Sequence, residues 1–159
     1  MRCEASVAQN QRAITIHSFM TDATKSPVSA LRIMLVEDSA ILASHVTELI
    51  EKMPDMQLMG IADNQKDAIQ MVADVQPQVV ILDLHLREGN GFGVLRGMPR
   101  METPPSVVVL TTFGLPEYRR QAEKLGVSAF LDKSSDYHLL PGLLCEMAKK
   151  FANPEPVQI

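Results

Sequence analysis

Residues 77–91 read Pro77-Gln78-Val79-Val80-Ile81-Leu82-Asp83-Leu84-His85-Leu86-Arg87-Glu88-Gly89-Asn90-Gly91, and this stretch decides the fold. Val79 to Leu82 is a continuous aliphatic run without polar alternation, the pattern of a strand buried on both faces of a parallel sheet. Pro77 closes the element before it, and the run ends on a carboxylate, Asp83. Parallel neighbours require crossover connections, so the flanking sequence should alternate between strand and helix patterns.

Upstream, Leu31 to Val36 predicts a first strand. Leu42, Val46, Leu49, Ile50 and Met53 follow at helical spacing as far as Pro54, and Ser39 stands where it can cap that helix. Met56 to Ala62 predicts a second strand, after which Asp63 or Asn64 caps a helix whose inner face is Ala68, Ile69, Val72 and Val75. Downstream, Leu84 to Gly91 is a loop, and Gly93, Gly97 and Pro99 make the next helix short or irregular. Val107 to Leu110 predicts the fourth strand, Pro116 to Leu125 the fourth helix, Val127 to Leu131 the fifth strand and Tyr137 to Phe151 the last helix. Five such units predict an α/β fold, a doubly wound (βα)5 parallel sheet with helices on both faces.

The chain of 159 residues is sized for one domain, and 46% hydrophobic with 21% charged residues is globular composition. A net charge of -4 provides no basic patch, which argues against direct contact with nucleic acid or an anionic membrane. No apolar run approaches the roughly 18 residues of a membrane span, and residues 1–30 lack the apolar centre of a signal peptide, so a cytoplasmic location is expected. Cys3 and Cys145 support neither a disulfide framework nor a metal motif; one solvated thiol and one buried small hydrophobe are expected. Residues 31–151 are expected to form the domain, with a flexible extension over 1–30 and a tail over 152–159. His17, His45 and His138 show no ligand spacing, and the ten methionines are expected to fill gaps in the core.

In doubly wound sheets, ligands bind beyond the carboxyl ends of the strands at the topological switch point. The polar residues that follow the predicted strands are Glu37 and Asp38, Asp83, Thr111 and Thr112, and Lys133. If Glu37, Asp38 and Asp83 converge, each close pair repels by about 4 kcal/mol at about 4 Å with an effective dielectric near 20, which one lysine does not offset. A hard divalent cation with oxygen ligands does, and Mg²⁺ is the usual one beside phosphates. Asp83 would then be a nucleophile toward an activated phosphoryl group. Lys133 would bring a cation, and the Thr111 hydroxyl a hydrogen bond, to the phosphoryl oxygens. Movement of Thr111 toward that group would open space for Phe130 to turn inward, biasing two packings of the fourth-helix and fifth-strand face.

Val36-Glu37-Asp38-Ser39, Asp83 at its strand end, Thr111 and Lys133, in that order, resemble the receiver domain of bacterial two-component response regulators over about Leu31 to Lys150. The resemblance implies a flavodoxin-like strand order of 2-1-3-4-5 and phosphorylation of Asp83. It also implies Mg²⁺ held by Glu37, Asp38, Asp83 and the backbone carbonyl of His85, and a phosphohistidine donor on a sensor histidine kinase or phosphotransfer protein. The Asp83-Leu84-His85-Leu86 opening and the Lys133-Ser134 pair are most similar to the nitrate-responsive, helix-turn-helix branch. Four positions depart from the common pattern. Arg87 replaces a frequent proline, Ser134 stands where proline often follows the lysine and leaves the isomer of that bond open, and Phe130 replaces a frequent tyrosine. Thr112 stands where a smaller residue often flanks the site; with Phe113 above the pocket it is expected to slow phosphorylation by small donors and hydrolysis alike.

Eight residues follow Phe151, too few for a DNA-binding module. The expected output is a protein contact through the fourth helix, fifth strand and last helix, where Arg119, Arg120, Lys124 and Tyr137 stand, with a target or with a second copy as a homodimer. One alternative is the receiver part of a helix-turn-helix transcription factor, with Pro154-Glu155-Pro156 opening the linker; another is a phosphate sink without a target. A phosphatase with an aspartyl intermediate commonly carries a second carboxylate where this chain has His85. The chain is therefore expected to catalyse only its own phosphorylation and dephosphorylation.

Overall fold

The computed structural model describes residues 29–154. All but the inner ends of the expected extension and tail, together with Cys3 and His17, lie outside them. Strands β1 (Leu31–Val36), β2 (Met56–Ala62), β3 (Val79–Leu82), β4 (Ser106–Thr111) and β5 (Ala129–Asp132) make one sheet in the order β2-β1-β3-β4-β5. Every pairing is parallel. Helices α1 (Ala40–Glu51), α2 (Gln65–Val75), α3 (Gly91–Gly97), α4 (Pro116–Lys124) and α5 (Leu140–Ala152) connect and follow the strands. The fold is the flavodoxin-like one expected, with strand order reversing between β1 and β3.

Alternation along the strands divides the core into two layers. Ile33, Leu35, Val79, Ile81, Val108, Leu110 and Leu131 face α1 and α5, meeting Val46, Ile50, Leu140, Leu144 and Met147. The intervening residues Met34, Val36, Val80, Leu82, Val107, Val109 and Phe130 face the other way, onto Ala68 and Val72 of α2, Val94 of α3 and Ala122 of α4. Side chains are thus buried on both faces of β1, β3 and β4, which explains their unbroken apolar runs. Met34 and Met147 are core residues, and Met53, Met56, Met71, Met98 and Met101 pack against the two layers as expected.

Local chemistry sets the element ends. Ser39 caps α1 by accepting from the Leu42 N–H at 3.4 Å, and Asn64 caps α2 by accepting from the Asp67 N–H at 2.9 Å. β5 starts at Ala129, two residues later than expected. Gly126 at φ +82° and Val127 still send their amides back to the last turn of α4, to the Glu123 and Ala122 carbonyls at 3.0 and 3.3 Å. The last helix opens as a 3₁₀ turn over Tyr137–Leu139 before Pro141 enters the first turn of α5.

Cys145 corrects an expectation: it is exposed, not buried. The buried stripe of α5 runs Leu140, Leu144, Met147, and Cys145 lies one residue, about 100° of helical rotation, past it. The Lys133-Ser134 bond is trans, since no cis peptide occurs among the described residues. No helix among the described residues is long and apolar enough to cross a membrane.

Candidate functional site

The backbone ladder brings the polar strand ends together. The Asp83 N–H donates to the Val36 carbonyl at 3.0 Å, placing Asp83 beside the end of β1, and the Glu37 N–H donates to the Ala62 carbonyl at 2.9 Å. The Lys133 N–H donates to the Thr111 carbonyl at 2.9 Å, which aligns the end of β5 with that of β4. Glu37, Asp38, Asp83, Thr111 and Lys133 therefore gather at the carboxyl rim, across the β1/β3 switch point.

Lys133 is the hub. Its Nζ lies 2.7 Å from Glu37 Oε2 and 2.7 Å from Asp83 Oδ2. The other oxygen of each carboxylate accepts a main-chain N–H: Glu37 Oε1 from Ser39 at 3.0 Å, Asp83 Oδ1 from His85 at 3.1 Å. Glu37 is 4% and Asp83 5% exposed. Burial pushes the Glu37 carboxyl above its ordinary range, against the opposing hydrogen bonds from Lys133 and Ser39. Burial works against the Lys133 ammonium too, but the hydrogen bonds and charges of Asp83 and Glu37 outweigh it and hold its pKa above the ordinary lysine value.

Asp38 completes an acidic triad. Carboxylate oxygens of Glu37, Asp38 and Asp83 lie within 4.8 Å of one another. Three carboxylates against one ammonium leave excess negative charge on an all-oxygen donor set, so the residues present fit a hard divalent cation. His85 turns its N–H toward Asp83, and its exposed ring packs on Phe113 with centroids 4.7 Å apart.

Thr111 is fully buried, and its Oγ1 has no hydrogen-bond partner. Such a group costs about 1–3 kcal/mol unless something reaches it. Next in the chain, Thr112 is exposed and Phe113 is 53% exposed, while Tyr118 and Phe92 extend the aromatic group around His85. Phe130 is 6% exposed and belongs to the core layer facing α4. The ring that was expected to turn inward is already inside.

Two features escaped the sequence reading. Asp132 accepts from the Ser134 N–H at 2.8 Å and from the Ser134 hydroxyl, and Asp136 Oδ2 accepts from the Asp132 N–H at 3.0 Å. These bonds hold both carboxyls below the usual range and fold the Lys133 turn without a proline. Asp132-Lys133-Ser134-Ser135-Asp136 carries the residues of side-chain-closed turns, which is the signal that could have revealed it. The second feature is Gln65, whose contacts with the loop after Asp83 no periodicity reports.

The family model described as the response regulator receiver domain matches residues 33–143. Among curated proteins, the sensory transduction protein LytT of Bacillus cereus is 25% identical over 132 residues, covering 81% of this chain and 50% of its own. The uncharacterized transcriptional regulatory protein YvfU of Bacillus subtilis is 27% identical over 127 residues, covering 79% and 64%. The chain thus spans only about half to two thirds of the length of these relatives. Among solved structures, a DNA-binding response regulator of the LuxR family from Staphylococcus aureus is 27% identical with a TM-score of 0.65, covering 77% of this chain and 99% of that one.

Proposed function

The chain belongs to the response regulator receiver domain family of two-component signalling, and from that premise we propose that Asp83 accepts a phosphoryl group and thereby changes the α4–β5–α5 surface. The observation that carries the proposal is the position of Lys133 Nζ, 2.7 Å from both Asp83 and Glu37, at a strand end aligned with that of Thr111, whose buried hydroxyl is unpartnered. Receiver domains are signalling domains and not enzymes in the ordinary sense, so the chemistry is limited to the chain's own modification. It would proceed in the cytoplasm.

Glu37, Asp38, Asp83 and the His85 carbonyl would hold Mg²⁺, which when bound neutralises charge on the incoming phosphoryl oxygens. An Asp83 oxygen attacks the phosphorus of a phosphohistidine on a sensor histidine kinase or phosphotransfer protein, and the imidazole leaves as the phosphorus–nitrogen bond breaks. Lys133 exchanges its bond to Asp83 for one to a phosphoryl oxygen, and Thr111 Oγ1 gains the acceptor it lacks. Because Phe130 is already buried, the switch acts by tightening β4 over an aromatic in place, which shifts α4 against β5 for a target protein or a second copy. Neither nucleic acid nor membrane is contacted by this domain directly.

A second reading is favoured by the length comparison and by the similarity to YvfU, a transcriptional regulatory protein: the same domain would serve as the receiver of a longer helix-turn-helix regulator. A receiver acting only as a phosphate sink would show transfer and no phosphorylation-dependent partner.

Intact mass after incubation with acetyl phosphate and Mg²⁺ tests the proposal, since the chain lacks tryptophan for a fluorescence readout. One phosphoryl group should be gained, and lost with EDTA or in Asp83→Asn. If neither acetyl phosphate nor a purified phosphohistidine donor modifies the protein, a phosphorylation-independent scaffold is the better reading.

A further inference from the structure

The first residue of α2 reaches into the loop that follows Asp83. The Gln65 N–H donates to the Glu88 carbonyl at 3.1 Å, and its side-chain Oε1 accepts from the Asn90 N–H at 3.1 Å. Asn90 in turn caps α3, accepting from the Gly93 N–H at 2.9 Å, and forms an antiparallel bridge with His85. The His85 N–H donates to Asp83 Oδ1 at 3.1 Å. A continuous path of polar contacts thus leads from α2 through the loop to the reacting carboxylate.

The loop is shaped around that one side chain. Gly89 has φ +78°, and a Cβ on it would overlap the Gln65 side chain; a Cβ on Gly93 would overlap the Gln65 amide. The two glycines clear the groove in which Gln65 lies. Arg87, Glu88, Gly89 and Asn90 are all exposed, and Arg87 does not restrict its φ as a proline would. Apart from the His85–Asn90 bridge, the support for this segment comes from outside it, where Gln65 meets it at two points.

We infer that Gln65 is a positioning residue: its amide holds the His85–Asn90 loop so that the His85 carbonyl and Asp83 Oδ1 stay oriented for cation binding and phosphoryl acceptance. The inference rests on the function proposed above. It adds a residue from the end of α2, outside the acidic triad and the Lys133–Thr111 pair.

The test compares Gln65→Leu, similar in bulk without an acceptor, with Gln65→Glu, which keeps an acceptor oxygen at the same reach. Amide exchange at His85 and Asn90 is read in metal-free protein, and Mg²⁺ affinity by titration. Gln65→Leu should speed Asn90 exchange and weaken Mg²⁺ binding by about five- to tenfold, the range of one hydrogen bond, and Gln65→Glu should restore both to within about twofold. Gly93→Ala, which leaves Gln65 in the chain but displaces its amide, should reproduce Gln65→Leu and add little to it; it carries the test should Gln65→Leu not fold. Retained Asn90 protection and Mg²⁺ affinity in Gln65→Leu and Gly93→Ala would overturn the inference, as would a loss that Gln65→Glu leaves unrestored. Failure of the wild-type chain to take up Mg²⁺ or phosphoryl would count instead against the proposed function, because exchange in metal-free protein reads the tether independently.

Discussion

The guanidinium of Arg119 lies 4.6 Å above the centroid of the Phe130 ring and donates from Nη1 to the Phe130 carbonyl at 3.2 Å. One side chain from α4 therefore grips both ring and main chain of β5, on the face proposed to change with phosphorylation. Arg119→Ala should cost about 1–2 kcal/mol, the sum of a cation–π contact and a hydrogen bond, read from urea midpoints. Arg119→Lys should recover little of it, because an ammonium lacks the planar fork that makes both contacts together. Full recovery by lysine would reduce the grip to simple charge.

Removing the hub should expose the repulsion it offsets. Lys133→Met leaves Glu37 and Asp83 buried without their cation, and should lower stability by about 3–5 kcal/mol in metal-free buffer. Mg²⁺ should return part of that loss, so the urea midpoint of the variant should depend on Mg²⁺ more steeply than the wild type's. Equal stability of the two proteins without metal would show that the acidic cluster is not under electrostatic load.

The pKa shifts set a pH dependence with definite signs. Folded Glu37 holds its proton more tightly than the unfolded chain, whose carboxyl sits near 4.5, so its contribution to stability is largest below that pH and declines as pH rises through the raised folded value. Lys133, raised above 10.5, contributes fully below that value and loses its contribution as pH rises through the folded pKa. Stability of the wild type relative to Glu37→Gln, measured by urea denaturation from pH 4 upward, should therefore fall over the acid window and then level off until lysine begins to lose its proton. A difference that is flat in acid would contradict the Glu37 shift.

Phe113 stands half exposed with its ring on His85, the residue whose N–H meets Asp83. Phe113→Ala, and to a lesser degree Thr112→Ala, should shorten the phosphoryl lifetime several-fold by admitting water, and should quicken modification by acetyl phosphate in parallel. Lifetimes followed by mass spectrometry decide it. A faster gain without a faster loss would assign the ring to donor exclusion alone.

Much of this was legible in the chain because parallel strands announce themselves. β1 and β3 span the runs Leu31–Val36 and Val79–Leu82 as expected, since both faces demand apolar residues; the edge strand β2 spans Met56–Ala62, and a polar residue follows the carboxyl end of each of the three. The rim residues could be found for the same reason. Gly93 and Gly97 read from sequence as helix breakers, but in space they are clearances, one for Gln65 and one for Ile69. Nothing local distinguishes those roles, because the occupant comes from another helix. Phe130 likewise could be picked as the aromatic behind Thr111, but its rest position is set by Arg119 and α4, which a linear pattern does not place.

Asp83 and Lys133 are each registered by a main-chain hydrogen bond to a neighbouring strand, through the Val36 and Thr111 carbonyls. Such bonds are indifferent to what side chains their neighbours carry. Exposed residues of the helices, such as Arg120 and Leu139, are under no such tie to a strand. A duplicated gene could therefore rewire its signalling circuit by exchanging surface residues alone, while the acidic cluster and its lysine passed intact from one copy to the next. Insulation between pathways would then evolve without any interval in which the chemistry had to be rebuilt.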